Sequence, residues 1–239
     1  MREKTIIVGL IIALFGSTGY ALDPLGPPKA LLKEGQWSVG LEYAYSQTNT
    51  ELEDGSFRGA PVPDRSSQLR ANEAFVNLRY GPPLHGVVDV FGRLGVVAFK
   101  DPTLQDGDAD IAFGLGAAAT VWKTGEKLDW GALVQFGRGE SSTRGSPSSE
   151  IEAWSLQMAA GPTYQIRDDM ALYGGLFLDF LWGEFEGSNR LDWDMEQNDP
   201  FGVFVGLDWT VKENADWTVE FQYAGSTLAI ATGLRWTFD

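Results

Sequence analysis

Thirty-three Asp and Glu residues, one histidine and no cysteine bound the chemistry open to this 239-residue chain. Without a thiol there is no Cys–His nucleophile and no disulfide. The single imidazole, His85, sits in Gly81-Pro82-Pro83-Leu84-His85-Gly86, a composition that makes a tight turn rather than a base held beside a nucleophile. Paired carboxylates such as Asp192 and Asp194 remain, but acids at this density accompany any solvated loop. No catalytic residue, no cofactor and no enzyme are expected.

Two acidic stretches offer the oxygen ligands that hard cations take. One holds Asp106, Asp108 and Asp110 around Gly107; the other holds Asp192, Asp194 and Glu196. Neither continues to the bidentate Glu of a calcium-binding loop. They read as solvated loop acids and weak metal candidates. Gly114-Leu115-Gly116-Ala117 superficially matches a dinucleotide fingerprint, but no helix follows it, so that reading is rejected.

A second set of charges falls inside strands. Trp37, Val39, Leu41, Tyr43 and Tyr45 share one face of a run whose other face is Ser38, Gly40, Glu42, Ala44 and Ser46. That alternation marks a strand with one apolar side. It recurs near 74–80, 88–96, 111–121, 128–136, 154–164, 172–182, 201–209, 217–223 and 228–238, giving ten strands, with eight as the alternative. The polar or small face collects Glu42, Glu73, Arg79, Asp89, Arg93, Asp129, Asp179, Asp208, Glu220 and Arg235. Several runs far exceed the roughly five or six residues of ordinary strands and match the roughly ten that a tilted strand needs to cross a bilayer. No run approaches the roughly 20 apolar residues of a spanning helix.

The connections alternate in length. Residues 81–86, 123–127, 167–169 and 212–216 are short turns, whereas 49–68, 100–109, 138–150 and 186–199 are long and polar; only the last link, at 224–226, breaks the rule. Short turns at one end and long loops at the other are the periplasmic and extracellular ends of a membrane barrel. Trp37, Tyr80, Trp130, Tyr164, Trp209, Trp217 and Trp236 lie near the short-turn end on the apolar face, forming an expected interfacial girdle. Trp122 also lies there, with a parity that points inward. Tyr45, Trp154, Trp182, Phe201 and Tyr223 mark the opposite rim.

Ahead of the strands, residues 1–21 read as a signal peptide. Arg2 and Lys4 precede the apolar run Ile6–Phe15, and Gly19-Tyr20-Ala21 is a small-x-small cleavage pattern. Residues 22–36, with Pro24, Pro27 and Pro28, are expected to be a periplasmic lead-in, and 37–239 the barrel domain. Net charge is −15, which repels phosphate backbones and argues against nucleic acid.

With a signal peptide, amphipathic strands, aromatic girdles and the closing alternation Leu234, Trp236, Phe238, the chain resembles the small bacterial outer-membrane β-barrels, the OmpA-, OmpX- and OmpW-like group. It departs in one respect: Asp239 follows the terminal aromatic that this group usually ends on. The resemblance, over about 37–239, implies an all-β, closed, up-and-down antiparallel transmembrane barrel in the bacterial outer membrane. It implies lipid and lipopolysaccharide as surroundings and the barrel-assembly machinery as a partner, and the acidic loop segments themselves suggest divalent cations bridging them to lipopolysaccharide phosphates. The favoured role is structural or surface-interacting, with the ten inward charges plugging the lumen and water or cations in its gaps. A narrow, weakly cation-favouring porin-like channel is the alternative. A soluble, lipocalin-like exported barrel, with the apolar face turned inward, is the third.

Overall fold

A computed structural model of the chain describes residues 24–57, 60–100, 107–142, 150–187, 191–197, 199–225 and 227–239. The signal peptide expected over 1–21 and the metal candidate Asp106 lie outside them. Twelve strands follow in order: β1 (Trp37–Phe57), β2 (Ala60–Pro61), β3 (Arg65–Tyr80), β4 (Val88–Lys100), β5 (Asp110–Thr124), β6 (Leu128–Ser142), β7 (Glu150–Arg167), β8 (Met170–Gly187), β9 (Leu191–Gln197), β10 (Phe201–Lys212), β11 (Ala215–Ala224) and β12 (Thr227–Phe238).

Ten of these form a closed antiparallel wall. Each of β3 to β8 pairs with its neighbour, β8 pairs with β10, and β12 pairs with β1 from Trp37↔Phe238 to Gln47↔Leu228. The ten expected strands are these ten. The two-residue β2 folds back on the end of β1, at Ser56↔Pro61 and Phe57↔Ala60.

The strand β9 was not expected; its residues read as loop. It pairs with the upper part of β8 on one side and with the extension of β1, from Thr50 to Phe57, on the other. At the long-loop end one strand, β9, therefore replaces the three strands β10, β11 and β12, and the ring narrows. Its alternation, with Trp193 and Met195 buried between exposed Asp194 and Glu196, is strand-like. Tertiary pairing fixes the conformation that local acidity obscured.

The two faces of the wall separate as their alternation requires. Leu41, Leu78, Leu94, Leu115 and Val121 are all more than half exposed on the outside, whereas Asp89 and Gln157 are completely buried inside. This is the reverse of a soluble barrel, whose apolar side faces in, so the lipocalin-like alternative fails. Part of the interior is also filled by aromatic rings. Inward glycines seat inward aromatic rings: a β-carbon at Gly206 would lie 2.2 Å from the Tyr173 ring, at Gly202 2.3 Å from Phe177, and at Gly116 2.5 Å from Phe91. Toward the long-loop end Leu52, Leu69, Phe75, Val97, Phe99, Ile151, Leu181, Phe185, Trp193 and Met195 form one apolar cluster inside the narrowed ring.

At the short-turn end the girdle residues Trp37, Tyr80, Trp130 and Tyr164 are exposed on the outer face, and Trp209, Trp217 and Trp236 are half-buried there. Trp37 stacks on Phe238 at 4.5 Å across the closing seam. Trp217 donates its indole hydrogen to Thr232 Oγ1 at 2.8 Å. Trp122 corrects its predicted parity. The β5–β6 register slips between Thr120 and Trp122, so Trp122 pairs with Trp130 and lies 66% exposed on the outside. A β-bulge re-aims one residue in this way. His85 adopts φ +58° beside Gly86 at +64°, confirming a tight left-handed turn.

A charge placed on the outer wall should be costly in a bilayer. Leu115→Arg is expected to lower unfolding stability by about 2–4 kcal/mol if the site lies near the bilayer midplane. Urea titration of the chain folded into lipid vesicles measures this, and an unchanged midpoint would mean that Leu115 does not meet hydrocarbon.

Candidate functional site: a wall that holds its own lead-in

All ten predicted lumen charges face inward. Glu73, Arg79, Asp89, Arg93, Asp179 and Glu220 are buried, and Glu42, Asp129, Asp208 and Arg235 are half-buried. What they surround differs from the expectation. The described part of the lead-in, residues 24–36, is threaded into the short-turn half of the lumen and fixed to the wall. It does not hang outside as a separate periplasmic segment. Leu25 and Leu32 are 1% and 3% exposed.

The segment suits this place because its backbone is irregular. Pro24, Pro27 and Pro28 prevent regular helix or sheet pairing, so its N–H groups need side-chain partners once buried. The wall supplies them. Glu220 on β11 accepts hydrogen bonds from the backbone N–H of Leu25 at 2.9 Å and of Gly26 at 2.8 Å. Its remaining acceptor capacity goes to Gln222 Nε2 at 2.7 Å and to the Tyr173 hydroxyl at 3.0 Å. Four donors thus converge on one carboxylate. Asp89 on β4 accepts from Leu31 N–H at 2.5 Å and Leu32 N–H at 3.3 Å, and is paired with Arg79 at 3.3 Å.

Three further contacts complete the hold. Lys29 forms an ion pair with Asp129 at 2.6 Å. Ala30 N–H donates to Thr120 Oγ1 at 3.2 Å. Arg93 donates to the Pro24 carbonyl and to Gln135 Oε1, while its Nε lies 3.2 Å from Glu42. Gln135 then donates to Gln157 at 2.5 Å. On the next wall segment Arg235 bridges Asp208 at 3.3 Å and Asp216 at 2.7 Å. The surplus of acids over arginines is therefore met in part by the lead-in's own N–H groups and Lys29. Beside the segment, among Glu42, Asn77, Arg79 and Arg235, a cavity of about 50 Å³ remains, large enough to admit water.

Leu25 packs with Phe91, Leu133, Tyr173, Phe177 and Phe204 in a second apolar cluster. The wall also makes room: a β-carbon on Gly131 would lie 1.8 Å from the Pro28 carbonyl oxygen. Glu73 and Asp179 lie nearer the long-loop end than these contacts. Sequence reasoning found the wall charges but missed their ligand, together with Leu25, Lys29 and Tyr173. The one available signal was the imbalance itself, since buried acids need donors from somewhere.

Among the described residues the metal candidates do not assemble into a cage. Asp110 accepts the N–H of Ile111 at 2.8 Å, and Ser141 Oγ donates to the Asp108 carbonyl at 2.7 Å. Asp192, Asp194 and Glu196 are spread along β9. Among the described residues no group of three or more such side chains converges.

The chain matches no protein-family model and no curated protein. It is similar in structure to the outer-membrane protease OmpT of Escherichia coli, with a TM-score of 0.53 at 11% identity, covering 91% of this chain and 99% of that one. The fold is that of an outer-membrane β-barrel. More distant likenesses are the translocator domain of the autotransporter NalP of Neisseria meningitidis and the attachment invasion locus protein Ail of Yersinia pestis. The first has a TM-score of 0.47 at 13% identity over 87% and 90% of the two chains. The second has 0.40 at 13% over 86% and 99%. At these identities the likeness concerns the barrel alone.

The hold on the lead-in is directly testable, because a cysteine introduced into this chain is unique. Leu32→Cys is expected to react slowly with a water-soluble maleimide. Hydrogen bonds to a charged group contribute about 1.5–3 kcal/mol each, so adding Glu220→Ala should speed labelling by roughly tenfold or more. Gly131→Val should do the same by displacing Pro28. Equal labelling rates in all three proteins would show that the segment is not held this way.

Proposed function

We propose that the chain is an integral protein of the bacterial outer membrane whose lumen is shut and whose role is structural or surface-interacting. The observation that carries this reading is the lead-in seated in the short-turn half of the lumen by Glu220, Asp89, Arg93 and Asp129. The apolar cluster inside the narrowed ring supports it from the other end. A pore needs a continuous hydrated path, and both halves spend their interior on packed side chains.

In this reading the signal peptide delivers the chain to the periplasm, the short turns stay there, and the long loops face outward. Outer-membrane lipid and lipopolysaccharide surround the girdled wall. The barrel-assembly machinery inserts it, guided by the terminal Trp236 and Phe238 alternation. Divalent cations link the acidic loops to lipopolysaccharide phosphates. The reading gives the protein no catalytic duty, supported by the lone imidazole at a turn of the short-turn end.

Planar-bilayer recording of the purified folded protein tests the shut lumen. Insertion without reproducible current steps at neutral pH is the expected outcome. Steps of constant size would replace this reading with the narrow cation-favouring channel.

A further inference from the structure

The strand β9 is held in the sheet by opposed forces. Its inner face is apolar. Trp193, 7% exposed, packs against Phe185 with ring centroids 5.8 Å apart, and Met195 is 2% exposed. Trp193 sits where a β-carbon on Gly55 would be 2.0 Å from its indole nitrogen, at the irregularity between Glu53 and Ser56 where Asp54 takes φ +49°. Burying these two side chains favours the paired state.

The outer face works against pairing. The register lines up Glu140, Glu152, Glu184, Asp194 and Glu53 directly across β6, β7, β8, β9 and β1. A second row pairs Glu150 with Glu186, and a third sets Glu196 between Trp182 and Glu51. Like charges directly opposite across a sheet destabilise it. Among the described residues Arg138 forms ion pairs to Glu140 and Glu152 at one end of the first row, and its hydrogen bond holds Glu152 below the usual carboxylate range. At the seam between β9 and β1, Asp194 faces Glu53, with Glu51, Glu196 and Asp64 nearby.

We propose that β9 is a proton-controlled latch: protonation of the acids along its two seams locks it against β1, and their ionisation frees it from that edge. Because β9 follows β8 directly in the chain, it stays with β8 and parts from β1. Parting exposes the edge of Thr50–Phe57 and the Gly55 seat of Trp193, opening the side of the narrowed ring to the medium. The lead-in at the other end is untouched, so the latch and the shut lumen stand or fall separately.

The direction of the pH dependence follows from Glu53. Partial desolvation, then Glu51 through its charge and a hydrogen bond, then the Asp64 and Glu196 charges raise its carboxyl above the ordinary value of 4.5, and of these Glu196 is the contribution from β9. Asp194 and Glu196 stand opposite Glu53 and Glu51 only while β9 is seated, so the facing acids repel when ionised and the closed seam binds more protons than the open one. Closure is therefore strongest at low pH and weakens as pH rises through the raised value.

Hydrogen exchange of the full-length folded protein in lipid nanodiscs, corrected for intrinsic rates, reads this out. Protection of residues 50–57 and 191–197 is expected to be roughly tenfold greater at about pH 4 than at about pH 8, while 228–238 stays unchanged. Glu53→Gln with Asp194→Asn, isosteric exchanges at exposed positions, should keep the high protection at both pH values. Equal protection of the wild type at the two pH values overturns the proposal. So does a pH dependence that survives in the double variant, or protection that grows with pH.

Discussion

Backbone satisfaction in a medium without water governs the whole structure. A sheet crossing hydrocarbon cannot leave an edge, because each unpaired N–H or C=O there costs several kcal/mol. The pairing of β1 with β12, over eleven residues from Trp37 to Gln47, is what removes that edge. Once the ring must close, side-chain parity is no longer free. One face of every strand meets lipid, and the other must fill a lumen only slightly wider than side chains can occupy. The outer row of Leu41, Leu94 and Leu115 and the inner row of Asp89, Arg93 and Glu220 are two consequences of one constraint.

The same logic explains the lead-in. A proline-broken segment brings a set of backbone donors that no strand can satisfy, and the lumen contains more carboxylates than arginines. Each is a liability when buried alone; together they cancel. Glu220 and Asp89 each accept two consecutive backbone N–H groups, an arrangement that fixes position as well as charge. Farther up, where the wall loses β10, β11 and β12 and gains β9, polar partners give way to Leu52, Phe99, Phe185 and Trp193. The lumen is thus closed by two kinds of chemistry, one at each end.

The faces of the ten wall strands were legible because period-two alternation over ten or more residues has few competing explanations. Inward Glu42, Arg79 and Asp208 could be read from parity alone. Three features were not legible, each for a local reason. Trp122 follows a bulge, and a one-residue slip inverts parity without leaving a composition signal. The β9 segment carries its alternation in Trp193 and Met195, but acids dominate it, and only partners on β8 and β1 make it a strand. The lead-in has no periodicity, since what orders it is a set of carboxylates 57 to 195 positions away. Phe91 and Tyr173 were likewise invisible as lumen fillers, because their seats are glycines on neighbouring strands.

The central claim is that the apolar face of this closed sheet meets acyl chains while the lumen is packed from within. Nitroxide labels at introduced cysteines in place of Val90, Leu115 and Val205, with the protein in lipid vesicles, test it most directly. Collisional relaxation by lipid-soluble oxygen should dominate at all three positions, with little response to a water-soluble nickel chelate. Strong relaxation by the chelate and weak relaxation by oxygen at those sites would contradict the account.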